Sequence, residues 1–372
     1  MKKGLFLTIL FAVLFFYSTA IFSQYSTNAL YFDGVDDRVT AYGNPAYSGL
    51  LNGDFSIDFW FRPDSVAYNM NIFSIWDTTA NKGLMLMMSS NAISAYSKVT
   101  SSYNIVTENI PNSFYNGECH HIAYVVQGRS KKLFIDGVST SWYSQSSWTF
   151  PPLVVQKISF GTFYNPFTSV PYKGGISRLR IWKYALTQFD IVNSFSNSAS
   201  QPVSKLLADW KFENKYKQKI EDYSLIQNHA VRGFSSISET SDPGATGGCQ
   251  SCTATSVNIQ KLGSTSFCAG DSCRLKVNIL PGFSCQWYKN GIAIAGETDS
   301  LLTAYTGGVY SVRLTNGINC RRYSNAVLVN IYFEDISTPK RLGESPTWNP
   351  PVACYWTGRK DTLQVANNVL YN

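Results

Sequence analysis

Across residues 25–234, apolar and polar side chains alternate with a period of two, run after run, and glycine-bearing turns separate the runs. In FSIDFWFRPD, residues 55–64, Phe55, Ile57, Phe59 and Phe61 fall on one face of an extended chain. Residues 120–138, HHIAYVVQGRSKKLFIDGV, hold two such runs around a polar turn at 128–131, and Asp136-Gly137 offers a second tight turn. Residues 157–163 and 174–186 continue the pattern. One short helix is expected at 187–194, where Thr187 can cap and Phe189, Val192 and Phe195 recur at helical spacing. Many short strands and almost no helix predict an all-β sandwich or jelly roll.

The first 23 residues read as an export signal: Lys2 and Lys3 precede an apolar stretch that exits through small residues. Secretion to the cell surface or medium is therefore expected, with no later run apolar enough to span a membrane. The net charge of +7 drops by two with that segment, and the remaining basic residues are scattered, which argues against a nucleic-acid partner. Charged and aromatic residues each make up 15% of the chain, the balance of an extracellular β-protein.

The domain reading is 1–23 signal, 24–234 jelly roll, 235–251 linker, 252–333 a second sandwich and 334–372 unassigned. Residues 235–248, SSISETSDPGATGG, have linker composition. Beyond them, short strands recur about every ten residues, which suggests an immunoglobulin-like sandwich. Seven of the eight cysteines fall from Cys249 to Cys354, so the second half is the part expected to depend on covalent staples.

ALYFDGVDDRV, FSIDFWFRPD, HHIAYVV, KKLFIDGV, GGISRLRIWKYALTQFDI and LLADWKFEN occur in the order found in laminin-G-like, concanavalin A-like jelly-roll domains, which residues 28–234 resemble. The cysteine-rich half resembles the immunoglobulin-like modules of large exported proteins of the Bacteroidetes type. The first resemblance implies extracellular binding or adhesion, often to glycans, without fixing a ligand. The second implies a disulfide between Cys268 and Cys320.

Several constellations carry possible chemistry. Asp33, Asp36 and Asp37 lie within five residues, and Asp33 and Asp37 are the candidate calcium ligands; the alternative is a plain Asp33-Gly34 turn. The family often has an acid after GGI; Ser177 and Arg178 stand there instead. Cys249, Cys252, Cys268 and Cys273 have the spacing of a zinc ribbon, but export favours disulfides. Cys273 is expected to pair with Cys285 on a neighbouring strand. The pairing of Cys249, Cys252 and Cys354 is open, and Cys119 reads as a buried, inert thiol. Glu297-x-Asp299 is the one glucanase-like acid pair, and no second glutamate follows it. No nucleophile elbow or phosphate loop is present. The chain is therefore expected not to be an enzyme.

Binding remains. Trp76, Trp142, Tyr143, Trp148 and Tyr164 lie in segments that read as loops, and flat rings there suit stacking on sugar faces. The expected partner is a polysaccharide or glycosylated surface. The rival expectation is a structural adhesin that binds extracellular protein and has no sugar site; a glycoside hydrolase ranks below both.

Overall fold

The computed structural model describes residues 28–65, 69–98, 103–110, 114, 118–139, 143–144, 153–162, 170–195, 203–212, 217–235, 237–239, 242–247, 257–316, 321–332, 364–365 and 369–370. They form two β-sandwiches. The first begins with β1 (Asn28–Asp33), β2 (Val39–Tyr42), β3 (Phe55–Pro63), β4 (Met70–Asp77), β5 (Lys82–Ser89), β6 (Ala92–Lys98) and β7 (Tyr103–Asn109). It continues with β8 (His120–Gln127), β9 (Ser130–Ile135), β10 (Tyr143–Ser144), β11 (Lys157–Phe160), β12 (Val170–Pro171), β13 (Lys173–Trp182) and α1 (Gln188–Asn193). It closes with β14 (Leu206–Trp210), β15 (Lys219–Ile220), β16 (Ala230–Arg232) and β17 (Gly244–Gly247).

One sheet runs β10-β9-β8-β3-β13-β1-β17, with β14 also on β13; the other runs β15-β16-β2-β11-β4-β5-β6-β7, with β12 on β4. The alternation seen in the sequence builds the core between them. Phe55, Ile57, Phe59 and Phe61 of β3 face Ile72, Phe73 and Ile75 of β4 within one buried cluster. Sequence alternation implies a strand with one wet face, yet β3 is buried on almost every residue. Its other face lies beneath α1.

That helix is fixed by local chemistry. Thr187 accepts from the backbone of Asp190 while the Asp190 carboxylate accepts from the backbone of Thr187, a reciprocal cap. The tight turn between β9 and the rest of its sheet edge is made by Asp136 and Gly137, both at positive φ, with Ile135 and Val138 bridged across it.

The linker expectation needs correction. Gly244–Gly247 is a strand that pairs antiparallel with β1, so the first sandwich runs past residue 234. Backbone pairing requires no apolar side chain, which is why a glycine-rich stretch can serve as an edge strand.

The second sandwich comprises β18 (Ile259–Lys261), β19 (Ser266–Cys268), β20 (Cys273–Val277), β21 (Phe283–Lys289), β22 (Ile292–Ala293), β23 (Leu301–Ala304), β24 (Gly308–Asn316), β25 (Arg321–Tyr323) and β26 (Val327–Tyr332). Its sheets run β18-β20-β23 and β19-β26-β24-β21-β22, with β25 on β24, and Trp287 is fully buried between them. Farther on, Gln364–Val365 pairs with Val369–Leu370. No helix among the described residues is long and apolar enough to cross a membrane.

The expected Cys273–Cys285 bridge is absent. Both are free, buried thiols, on β20 and β21 of different sheets. Burial pushes the Cys285 thiol up to about 11, so it stays protonated and inert. Cys119, expected as a free thiol, is disulfide-bonded, and so is Cys268. Cys320 lies outside the described residues.

Candidate functional site

The two outward faces of the first sandwich differ in kind. On the β3–β8–β13 side, cross-strand register sets Asp58 opposite Arg180 and Trp60 opposite His121. Asp58 accepts from His121 Nε2 at 3.0 Å, from Arg180 Nε at 3.1 Å and from Trp182 Nε1 at 2.7 Å. Burial alone would raise the Asp58 carboxyl, but Arg180 and His121 hold it well below the usual carboxylate range. Trp60 and Phe195 close over this network. It has the chemistry of a structural ion cluster: all members are buried and the three donors converge on the one carboxylate, while His121 Nδ1 is buried without a partner.

The outward face of the other sheet has no such network. Register aligns Tyr42, Lys157, Trp76, Gly83, Lys98 and Tyr103 in one row across β2, β11, β4, β5, β6 and β7. Side chains directly opposite on neighbouring strands share a face. Gly83 makes room for the indole: a Cβ there would stand 2.6 Å from the Trp76 ring. Trp76 packs with Met85, Met87 and Tyr96. Tyr42 and Tyr103 at the ends of the row are about half exposed. Trp76, predicted on a loop, instead lies within β4 and is 1% exposed, so it serves as the floor of the face. Opposite Met87 on this face stands Asn71, fully buried, and neither of its amide atoms has a hydrogen-bond partner. A buried amide in that state calls for a ligand, a water or a compensating gain in packing.

At the Tyr42–Lys157–Trp76 end of the row a cleft of about 540 Å³ opens, lined by Gly43, Asn44, Pro45, Ser48, Val154, Val155 and Gln156. Its size falls in the range of small-ligand sites. Gly43 lets the two backbones meet: its N–H donates to Gln156 O at 2.9 Å, and any Cβ there would collide with Val155 O. The Gln156 side chain is oriented by Thr78 N, which donates to its Oε1 at 3.1 Å, and by Thr79 Oγ1, which accepts from its Nε2 at 2.8 Å. Asp77 fixes the adjoining loop by accepting from Thr79, Ala80 and Val154 backbone N–H groups. The result is a preorganised recess lined by amide and hydroxyl side chains, in which Asn44 Oδ1 accepts from Ala46 N at 2.9 Å; Tyr42, next in the chain to Gly43, donates its hydroxyl to Phe234 O at 2.7 Å. Sequence reasoning missed it because Asn44, Ser48 and Gln156 are unremarkable polar residues far apart in the chain.

Of the expected loop aromatics, Trp142, Trp148 and Tyr164 lie outside the described residues. Tyr143 falls in β10, at the edge of the opposite sheet.

The carboxylates of Asp33, Asp36 and Asp37 come within 4.8 Å of one another. Two of their oxygens already serve the turn: Asp33 Oδ1 accepts from Val35 N at 2.7 Å and Asp37 Oδ2 from Asp33 N at 2.6 Å. Burial pushes Asp37 up to about 6, and the neighbouring Asp33 and Asp36 add to it. The oxygens left over are part of a calcium shell, which takes six to eight. Ser177 and Arg178 stand where the resembled family often has an acid. Register puts Lys173, not Ser177, opposite Asp33, while Arg178 makes a bidentate pair with Asp209 at 2.6 and 2.5 Å.

Residues 33–192 match a family model described as the concanavalin A-like lectin/glucanases superfamily, so the first sandwich is a concanavalin A-like domain. Among solved structures, the chain is similar to a Bacteroides ovatus protein described as a candidate carbohydrate binder, at 13% identity and a TM-score of 0.44, covering 59% of this chain and 62% of that one. It is also similar to a Ruminococcus gnavus sialidase module bound to α2,3-sialyllactose, at 14% identity and a TM-score of 0.36, covering 45% and 97%. A third is domain 4 of an extracellular arabinanase from Geobacillus stearothermophilus, in complex with arabinotriose, at 21% identity and a TM-score of 0.33, covering 40% and 69%. No curated protein matches the chain.

Proposed function

We propose that this chain is an exported glycan-binding protein whose concanavalin A-like domain recognises carbohydrate at the cleft beside Tyr42. The open, polar recess at the end of an aromatic-bearing sheet face carries the reading. Sugar rings offer apolar C–H faces and many hydroxyls, so a site for them needs a flat ring next to fixed amides and hydroxyls. Tyr42 supplies the ring. Asn44, Ser48 and Gln156 supply the polar groups, and Gln156 is held in place before any ligand arrives. Stacking and hydrogen bonding suffice for reversible binding, and we assign no covalent step. Adhesion to glycosylated surfaces would follow from this binding, with the second sandwich, read as an immunoglobulin-like module, as the docking unit. Calcium is a subsidiary part of the reading: it would bind at Asp33, Asp36 and Asp37 and rigidify the β1–β2 turn.

A glycan array with neutral and acidic polysaccharides tests this. Binding to at least one class, lost in Tyr42→Ala and Gln156→Ala, is the expected result. Adhesion that persists with no polysaccharide bound would favour a protein-binding adhesin and end the glycan reading.

A further inference from the structure

Domains joined in one chain move against each other by default, unless the contact between them is large and apolar. Here two hairpin turns, one from each sandwich, meet tip to tip. The Asp136-Gly137 turn of the first sandwich has φ of 51° and 80°, and the Asn290-Gly291 turn between β21 and β22 of the second has φ of 51° and 79°. A Cβ on Gly291 would stand 2.7 Å from Gly137 O, so the turns approach this closely only because that position has no side chain. Gln188 of α1 ties them together: its Nε2 donates to Gly137 O at 2.9 Å and to Asn290 O at 2.7 Å.

The contact continues along α1. Asn193 is 1% exposed, and its Oδ1 accepts from Ala326 N at 2.9 Å. Its neighbour Val192 is buried together with Val309 and Ala326. Farther on, Tyr323 of β25 packs its ring against Trp60 at 5.7 Å and Phe195 at 5.4 Å, the two rings that lie on His121. An ion pair between Glu118 and Arg321 closes this side. The contact is thus apolar at its centre and polar at its margins. On the first sandwich, every one of these groups belongs to the β3–β8–β13 side. The row that ends at the cleft lies on the other sheet.

We propose that the second sandwich is locked onto the first as one rigid body, with the facing Asp136-Gly137 and Asn290-Gly291 turns as the lock. Parting the two would wet Trp60, Phe195, Val192 and Ala326 and would strip Asn193 and Gln188 of their partners. The second sandwich is therefore a fixed mount rather than a swinging spacer. It holds the cleft on the sheet that faces away from the contact, so that a glycan bound there meets a site of set direction. That consequence rests on the glycan reading, whereas the lock can be tested without any ligand.

Residual dipolar couplings of backbone amides in the intact chain test the rigidity. Amides of β3, β4 and β8 and those of β21, β24 and β26 should fit one alignment tensor, and two tensors of different magnitude in the wild type overturn the proposal. Gly291→Asn tests the cause. Asparagine tolerates left-handed backbone, so the β21–β22 hairpin persists while the new Cβ pushes Gly137 away. Hydrogen exchange at the Ala326 amide should accelerate about tenfold or more in this variant while β4 and β5 stay protected. Gly296→Asn is the control: Gly296 also has a positive φ, of 80°, but a Cβ there meets open space, so exchange at Ala326 should match the wild type. Unchanged exchange at Ala326 in Gly291→Asn overturns the lock. Where that variant also loses protection in β21 and β24, Gln188→Ala decides: faster exchange at Ala326 with both cores protected supports the lock, and no change overturns it.

Discussion

The outward faces of the two sheets in the first sandwich have opposite designs. The β3–β8–β13 face holds a carboxylate, an imidazole, a guanidinium and an indole, yet the last three all bond to the carboxylate under α1, Phe195 and the second sandwich. The β4–β5–β6 face has no aspartate or glutamate among its described outward strand positions. It ends in exposed Tyr42 and Tyr103 and an open cleft. The face with the richer chemistry is the structural one. The face with plain amides, hydroxyls and rings is the one that can meet a ligand. Abundance of ionisable groups is thus a poor guide to function here; polar groups held in place next to open space are a better one.

Breaking the first face should give the largest effect. Asp58→Ala leaves Arg180 buried without its carboxylate, and removal of one member of a buried pair costs about 3–5 kcal/mol. Urea denaturation should show a loss of that size with the cleft intact where the protein still folds. The same carboxyl predicts an acid limb. Its folded pKa is depressed, so its contribution is present above the unfolded value and is lost as pH falls below about 4. Thermal melts of the wild type should decline there, and Asp58→Asn should flatten that limb.

A substitution on the second face separates packing from binding. Gly83→Val drives a branched side chain into the Trp76 indole and the Ile75 carbonyl, so we expect about 1–3 kcal/mol of destabilisation. Near-ultraviolet circular dichroism should also change as the indole moves. Little change in either signal would mean that the Trp76 floor is looser than the register implies.

A smaller effect with the opposite pH sign is expected at Asp37. Its carboxyl is raised to about 6, so its contribution is fully present below the unfolded value near 4 and is lost as pH rises through 6. Asp37→Asn should remove a gain in melting temperature between pH 6 and pH 4. Calcium at this turn would hold Asp37 ionised and raise the melting temperature at neutral pH. A melting curve unaffected by chelator and by added calcium would remove the metal.

The contrast also explains what the sequence could and could not reveal. Phe55, Ile57, Phe59 and Phe61 announce a strand with an apolar face, and Thr187 with Asp190 announces a capped helix, because both signals are local. The Asp136-Gly137 turn is legible for the same reason. The buried network was invisible because Asp58, His121 and Arg180 meet only through register between strands far apart in the chain. The cleft was invisible for a related reason: Gly43 and Gln156 become neighbours only when β2 pairs with β11. Trp76 misled because a tryptophan beside Asp77 and two threonines looks like a loop ring. In the folded chain Gly83 gives it a flat bed on the sheet. Cys273 and Cys285 misled because nothing local in the sequence separates two free thiols buried in facing sheets from a bonded pair.

The central claim is that the cleft beside Tyr42 takes carbohydrate. The most direct measurement is a calorimetric titration of wild type and Gln156→Ala with the same array-selected oligosaccharide, at matched melting temperatures. The account predicts saturable binding to the wild type and affinity weaker by about tenfold or more in the variant, the scale of one well-placed hydrogen bond. Equal affinities in the two proteins would contradict it.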